Sequence, residues 1–78
     1  MSEGLLEAMR RPLSELELAV PTQRWLEGGG FTLIGEVVER TEAELMALPH
    51  YDRRSLRELK ELLADLGLQL GMKVEGWR

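Results

Sequence analysis

The sequence predicts an all-α fold, a compact bundle of roughly four to five short helices with a nonstandard N-terminal arm. Three observations predict it. The chain has 78 residues, enough for one small domain. Of these, 44% are apolar although only one Phe, one Tyr and two Trp occur, so the core is mainly leucine and suits short packed helices. Proline and glycine interrupt the apolar pattern at short intervals, which favours tight corners.

The composition excludes several kinds of site. There is no cysteine, so neither disulfides nor thiolate metal sites are available, and the single His50 cannot form a zinc site without several carboxylates. No apolar run reaches the roughly 18 residues of a membrane span. The N-terminus MSEGLLEAMRR has acids where a signal peptide needs a basic start. We therefore expect a cytoplasmic protein with no cofactor, no bound metal and no membrane contact.

The N-terminal segment, residues 1–11, is predicted to form an amphipathic helix. Ser2 is its expected cap, and Pro12 stops it. The apolar side chains among residues 5–9 lie on one side of this helix; they are Leu5, Leu6 and Met9. This side docks either on the chain's own core or on a second chain, which would make a homo-oligomer, and the sequence leaves both alternatives open.

The domain proper is predicted to span residues 12–78 and to begin with the arm PLSELELAV. Pro12 and Pro21 restrict the arm to about eight residues, too short and isolated for a sheet, so we expect it to be extended or loosely helical. Pro21 then starts a short helix through TQRWLE, which ends at the three glycines 28–30.

Three further helices follow. Thr32 is the expected cap of a helix through Val38 that buries Leu33, Ile34 and Val37, and Gly35 in its middle indicates a close approach by another helix. Thr41 and Glu44 form a capping box for TEAELMAL. The last and longest helix has Asp52 as its cap and Gly67 at its end, and its apolar face comprises Leu56, Leu59, Leu62, Leu63 and Leu66. The apolar tail LQLGMKVEGW is expected to fold back over the bundle.

Catalysis receives little support from these residues. The sequence has no cysteine nucleophile and no phosphate-binding glycine loop, because the triple glycine leads to Phe31 without a Lys-Ser/Thr pair. His50 stands alone in a turn. The closely spaced acids, Glu15 with Glu17 and Glu42 with Glu44, have no apolar pocket nearby to raise a pKa. We expect no enzyme activity.

Charge points instead to binding by the second half of the chain. Residues 1–48 carry nine acids and four bases, whereas residues 49–78 carry five acids and six bases. The stretch LPHYDRRSL has a tight turn before a helix N-terminus, an arrangement that presents free amides to anions. It resembles the helix-hairpin-helix family, with His50 and Asp52 where that family has glycines. The alternative is that the bases form an ordinary solvated helix face.

A longer set of motifs carries a more specific resemblance. These are the Leu-Glu-Leu arm, Ile-Gly-Glu-Val, Arg-Thr-Glu-x-Glu-Leu, Ser-Leu-x-Glu-Leu-Lys and the Leu-Gly-Met tail. Together, from about residue 12 to residue 77, they resemble the C-terminal domain of the bacterial RNA polymerase α subunit. The resemblance implies a helix-hairpin-helix, SAM-domain-like bundle that binds the minor groove of A·T-rich promoter DNA. It also implies contacts with σ factor and transcription activators within RNA polymerase, and a nucleoid-associated location.

The resemblance implies site residues position by position. A decisive arginine of the DNA-binding face aligns to Pro21 and is therefore missing, and a hairpin glycine aligns to Asp52. The DNA-binding residues that the chain keeps are Arg54, Ser55 and Glu58. Arg24, which aligns to an asparagine of the family, is expected to compensate by entering the minor groove, and Arg53 is expected to add a phosphate contact from the start of the helix. Contacts with σ are implied for Glu15 and Glu17, and contacts with activators for Thr41, Glu42, Glu44 and Lys73. Arg57 and Lys60 are expected to face solvent and to pair with Glu58 and Glu61 along the helix.

Two interpretations of function remain open at this point. The chain is either a transcription module that binds DNA weakly, or a protein-interaction domain of the same fold that has lost DNA binding. Because Met1 stands only about eleven residues before the match, and the lead is unlike a flexible linker, the sequence favours a free-standing relative over an excised domain.

Overall fold

The structure, a computed structural model, describes residues 3–78. Its elements are α1 (Glu3–Arg10), a 3₁₀ turn (Leu13–Glu15), α2 (Val20–Gly28), α3 (Ile34–Val38), α4 (Glu42–Met46) and α5 (Arg53–Asp65). The predicted all-α fold is confirmed, since within residues 3–78 the only β-type pairing is an isolated bridge between Pro12 and Leu33. The predicted cap at Ser2 lies outside the described residues. None of the helices in this range is long and apolar enough to cross a membrane.

One apolar core lies between all the helices and is centred on two indoles. Trp25 on α2 is fully buried, and its Nε1–H donates to the carbonyl oxygen of Leu45 on α4 at 3.0 Å. The ring of Tyr51 packs against Trp25 with 5.8 Å between the ring centroids. Trp77, from the C-terminal tail, is 1% exposed. The core therefore joins the middle helices to the tail, and the predicted return of the tail over the bundle is confirmed.

The N-terminal helix is part of this core. Met9 is fully buried and Ala8 is 7% exposed, while Leu5 and Leu6 are half-buried against the core. Of the two alternatives for this helix, the structure shows the apolar side docked on the chain's own core. A contact between copies through residues 5–9 stays a prediction, and so does the division of the chain after residue 11.

The arm runs from α1 to α2 as predicted, with one 3₁₀ turn and an extended remainder. Its backbone is fixed to the start of α3, because Leu13 donates to the carbonyl of Thr32 at 2.8 Å and Ile34 donates to the carbonyl of Arg11 at 2.9 Å. Two side chains of the arm, Leu13 and Leu18, are buried in the core. The arm is therefore a fixed surface of the domain.

The helix ends follow the predicted signals, with one exception. Thr41 caps α4 and forms the capping box with Glu44, and Asp52 caps α5. Gly67, at φ 77°, ends α5 in a Schellman motif: its amide donates to the Ala64 carbonyl at 2.9 Å, and the next amide donates to Leu63. These caps set where α4 begins and where α5 begins and ends.

The exception is Thr32, which was predicted to cap α3. The N-cap is Leu33, and Thr32 does not accept from the helix; its hydroxyl donates to Glu36 at 3.2 Å. Glu36 reaches back and also accepts from the backbone amides of Thr32 and Leu33, each at 2.9 Å. These backbone hydrogen bonds lower the pKa of Glu36. The prediction was wrong because the Ile34 amide, which a Thr32 cap could have accepted from, donates instead to the carbonyl of Arg11 in the arm, and Glu36 draws the Thr32 hydroxyl to itself.

Gly35 is approached closely, but by an aromatic ring and not by a helix. A Cβ atom at this position would lie 2.7 Å from two atoms of the Trp77 indole. Trp77 is held by two hydrogen bonds. Its indole Nε1–H donates to Glu39 at 3.0 Å, and its backbone carbonyl accepts from Arg10 Nε at 2.6 Å. The absence of a side chain at Gly35 thus leaves room for Trp77 of the tail, and the hydrogen bond from Arg10 joins α1 to the tail.

Replacing Gly35 by alanine should destabilise the fold by about 1–3 kcal/mol, because the new methyl group forces the buried Trp77 ring to move. Helix propensity alone would predict a gain of up to about 1 kcal/mol. Urea unfolding measures the difference. The matched control is Gly4→Ala, where no heavy atom lies within 4 Å and a neutral or stabilising effect is expected. Equal effects of the two substitutions would contradict the packing role of Gly35.

Candidate nucleic-acid interface

The turn between α4 and α5 keeps a backbone that suits glycine although it contains none. His50 has φ 68°, the left-handed region that non-glycine residues seldom occupy. Tyr51, which follows it, is anchored on Trp25. Because this packing fixes the turn, His50 is held in the conformation that a hairpin glycine would take. The two helices and this turn form the helix-hairpin-helix element that the sequence predicts.

Asp52 changes the chemistry of the hairpin. Its Oδ1 accepts from the backbone amide of Arg54 at 3.1 Å, so it occupies one of the free donors at the start of α5. The carboxylate also places a negative charge at the positive end of the helix. An anion approaching this tip therefore meets fewer free amides and a repelling charge, and side chains have to supply most of the attraction.

The basic side chains divide into two groups by their contacts. Five form ion pairs with acids: Arg11 with Glu15, Arg40 with Glu44, Arg57 with Glu61, Lys60 with Glu42, and Arg78 with Glu39. Arg10 is bonded to backbone carbonyls. Within residues 3–78, the basic side chains with no such partner are Arg24, Arg53, Arg54 and Lys73. Three of these four cations belong to the predicted DNA-binding set.

Arg24 is exposed on α2, one helical turn after the exposed Pro21. Glu27 lies one turn further on, where an ion pair with Arg24 is possible, but none forms. Arg24 is thus available on the surface. Arg53 and Arg54 are exposed in the first turn of α5.

Ser55 and Glu58, the other two predicted DNA-binding residues, are placed differently. Ser55 is 3% exposed and so offers almost no surface to a ligand. Glu58 accepts from the backbone amide of Ala19 at 2.9 Å and from the hydroxyl of the buried Thr22. The carboxylate therefore holds the N-terminus of α2 against α5. A direct contact of either residue with DNA stays a prediction.

Thr22 is a residue that sequence analysis missed. It is 1% exposed although its side chain is polar, and its partner Glu58 lies 36 positions away in the chain. One signal for it was available in the sequence: the Thr22 hydroxyl follows Pro21 at the start of a helix. The N-cap of this helix is Ala19, whose side chain cannot accept a hydrogen bond. Such a start needs an acceptor from elsewhere, and Glu58 supplies it.

The predicted partner-binding residues all lie on the surface, and most are engaged. Glu15 pairs with Arg11 at 3.1 Å, whereas Glu17 is exposed and forms no ion pair within the described range. Glu42 pairs with Lys60 at 3.1 Å. Lys73 is exposed. Thr41 and Glu44 bond to each other, and this backbone hydrogen bond from Thr41 lowers the pKa of Glu44.

The pairing predicted along α5 is only partly correct. Arg57 pairs with Glu61 at 3.5 Å as expected, but Lys60 reaches across to Glu42 on α4. Glu58 faces α2 instead of Lys60 or Arg57. As for other ligands, residues 3–78 contain no group of three or more His, Asp and Glu side chains arranged to hold a metal ion.

The fold and the hairpin define a class of protein, an all-α domain with a helix-hairpin-helix element and unpaired arginines in the first turn of its second helix. Residues 2–65 match the profile of a family described as the C-terminal domain of the alpha subunit of bacterial RNA polymerase. The protein is also 44% identical over 75 residues, 96% of its length, to the DNA-directed RNA polymerase subunit alpha of Geobacter metallireducens. It spans 22% of that protein. The chain belongs to the family of C-terminal domains of the bacterial RNA polymerase α subunit.

Replacing Glu58 by alanine should lower the free energy of unfolding by about 1–3 kcal/mol, because the buried Thr22 hydroxyl loses its acceptor. In a double-mutant cycle with Thr22→Val, we expect a coupling of at least about 0.5 kcal/mol. Urea unfolding of the four proteins measures it. Glu61→Ala is the control, since it removes only an exposed ion pair and should cost less than about 0.5 kcal/mol. Additive effects of the Glu58 and Thr22 substitutions would contradict the link between α2 and α5.

Proposed function

We propose that the chain is a transcription module that binds A·T-rich promoter DNA weakly, in the minor groove, through Arg24, Arg53 and Arg54. One observation carries the proposal: of the ten basic side chains, five are held in ion pairs and Arg10 is bonded to backbone carbonyls, and these three are among the four within residues 3–78 that have neither kind of partner. Unpaired guanidinium groups can neutralise phosphates or enter a narrow minor groove without first breaking a bond. The family supports a role in transcription.

The binding is proposed to be weak for two reasons. Pro21 stands where the resemblance implies an arginine, so one cation is lost. Asp52 already occupies the amide of Arg54, which reduces backbone capture of a phosphate. Ser55 and Glu58 act in this proposal by supporting the surface, Ser55 through its burial and Glu58 through its bonds to α2.

Contacts with proteins are the second part of the proposal. Acting as a non-catalytic part of RNA polymerase, the chain would meet σ factor through Glu15 and Glu17. Activators would meet it through the surface formed by Thr41, Glu42, Glu44 and Lys73. The specific observation in favour is Glu17, an exposed acid without an ion pair within residues 3–78 on an arm whose backbone is fixed. If DNA binding is absent, these contacts alone would be the function, at the same place in the cytoplasm and nucleoid.

The first test is DNA binding by the 78-residue chain. Titration of the ¹⁵N-labelled protein with an A·T-rich duplex at low salt should shift amides around Arg24 and Arg54. The log–log slope of affinity against salt should be about −2 to −3, since each neutralised phosphate contributes about 0.9. Arg24→Ala combined with Arg54→Ala should abolish binding.

The matched control is Lys73→Ala, because Lys73 is also unpaired but lies outside the proposed DNA surface. It should change the affinity less than about twofold. Unchanged binding by the Arg24 and Arg54 double variant would reject the surface. An absence of binding at low salt, together with shifts at Glu15, Glu17 or Glu42 on adding σ factor or an activator, would establish the protein-interaction alternative instead.

The second test concerns the charge at Asp52. Asp52→Asn keeps a side chain that caps helices equally well but removes the negative charge at the α5 tip. DNA affinity should rise about threefold to tenfold at low salt, since an exposed charge pair near 4 Å is worth roughly 1 kcal/mol in water. The titration described above measures it.

Thermal unfolding should show little change for Asp52→Asn, whereas Asp52→Ala, which also removes the cap, should lose about 1 kcal/mol. Glu75→Asn provides the control for net charge, because Glu75 is exposed in the tail. An equal rise in affinity for both asparagine variants would attribute the effect to overall charge and contradict a local role of Asp52.

A further inference from the structure

A shallow groove of about 400 Å³ runs along the side of the hairpin turn and α5. We call it the α5 groove. Its floor is apolar and consists of Tyr51, Leu56 and Ala64, and its rim is charged and consists of Arg53, Arg57, Lys60 and Glu61. Positions 53, 57, 60 and 64 follow helical spacing, so they form one stripe on α5. Neither the proposed DNA surface nor the proposed protein contacts use this stripe as a unit.

The rim is positive in a chain whose net charge is −4. It holds three cations and one acid, and Arg53 forms no ion pair within residues 3–78. The Arg57 and Glu61 side chains are 84% and 71% exposed, and those of Lys60 and Glu42 are 50% and 48% exposed. Ion pairs this exposed stabilise little, so carboxylates of a partner can replace them at small cost. The charge of the groove is thus complementary to an acidic ligand.

The floor distinguishes between two acidic ligands. A nucleic-acid backbone has no bulky apolar group with which to fill an apolar depression, whereas a protein segment has leucine or aromatic side chains. Tyr51 is half-buried and fixed by its packing on Trp25, and Leu56 is 9% exposed, so the floor is preformed. A preformed floor limits the entropy lost on binding. These features favour a protein segment over DNA.

We propose that the α5 groove docks an acidic segment of another protein. One bulky apolar side chain of that segment rests on Tyr51, Leu56 and Ala64, and its carboxylates pair with Arg53 at one end and with Arg57 and Lys60 along the rim. Only Arg53 is shared with the proposed DNA surface. The partner can therefore be bound while Arg24 and Arg54 remain accessible.

The test uses the full ¹⁵N-labelled chain and a synthetic peptide, acetyl-Asp-Glu-Asp-Phe-Leu-Asp-Glu-Asp-amide. Addition of the peptide should shift the amides of Tyr51, Leu56 and Ala64, with a Kd on the order of 100 µM. The double variant Arg57→Ala, Lys60→Ala should weaken binding at least about tenfold, and so should Ala64→Glu, which places bulk and negative charge on the floor. Both changes lie at exposed helical positions and should leave the spectrum of the free protein folded.

Arg54→Ala is the matched control, since Arg54 lies in the same helix but does not line the groove. It should leave the peptide Kd within about twofold while it weakens DNA binding, so the two proposals fail separately. A peptide with Ser-Ser in place of Phe-Leu should bind at least about tenfold more weakly; equal binding would mean that charge alone is recognised and would overturn the proposal. Displacement of the peptide by an A·T-rich duplex from the Arg24→Ala, Arg54→Ala variant, whose proposed DNA surface is removed, would assign the groove to DNA. Shifts of the same amides on concentrating the protein alone would assign it to a second copy, and either result would also overturn the proposal.

Discussion

The relative placement of α2 and α5 depends on one carboxylate. Glu58 accepts from the Ala19 amide and the Thr22 hydroxyl, and these are the donors of a helix start that has no cap of its own. Because Thr22 is buried, water cannot readily replace Glu58. The first turn of α5 carries Arg53 and Arg54, and α2 carries Arg24. The same bond that stabilises the bundle therefore sets the position of the arginines on one helix relative to the other.

Ion pairing determines which part of the charged surface is available to a ligand. Arg11, Arg40 and Arg57 each pair with an acid four positions later, so their charge is partly neutralised within one segment. Arg53 and Arg54 have no acid four positions later that is free to pair, since Arg57 and Glu58 occupy those positions and Glu58 is bonded to α2. The bonds of Glu58 to α2 thus leave Arg54 unpaired, and Arg53 has a base at the corresponding position. Glu58 therefore affects both the packing of α2 on α5 and the charge that α5 presents.

Local signals predicted most of the fold, and long-range contacts account for what was missed. Residues within one helical turn were enough to predict the capping box of Thr41 and Glu44 and the cap at Asp52. The absence of a side chain at Gly35 was enough to predict a close approach there. The partner at Gly35 was not predictable, because Trp77 lies 42 positions away and only the folded tail brings it there. The same holds for Lys60 with Glu42 and for Glu58 with Thr22. The predicted cap at Thr32 failed for a similar reason, since the Ile34 amide that it could have served donates to the carbonyl of Arg11, 23 positions earlier in the chain.

The hairpin turn keeps the backbone geometry of a phosphate-binding turn but not its free backbone amides. His50 at φ 68° retains the backbone path that glycine favours, and the packing of Tyr51 on Trp25 holds it there in spite of the steric cost. Asp52, by contrast, uses the freed amide of Arg54 for its own carboxylate. The turn thus still aims the first turn of α5 outward, but what it presents is Arg53 and Arg54 side chains around a capped helix end. Recognition by flexible guanidinium groups is more sensitive to salt and less dependent on exact position than recognition by backbone amides, because each side chain acts as a mobile charge. A surface of this kind suits a contact that forms and breaks readily, and the apolar floor beside it in the α5 groove offers the directional element that charge alone lacks.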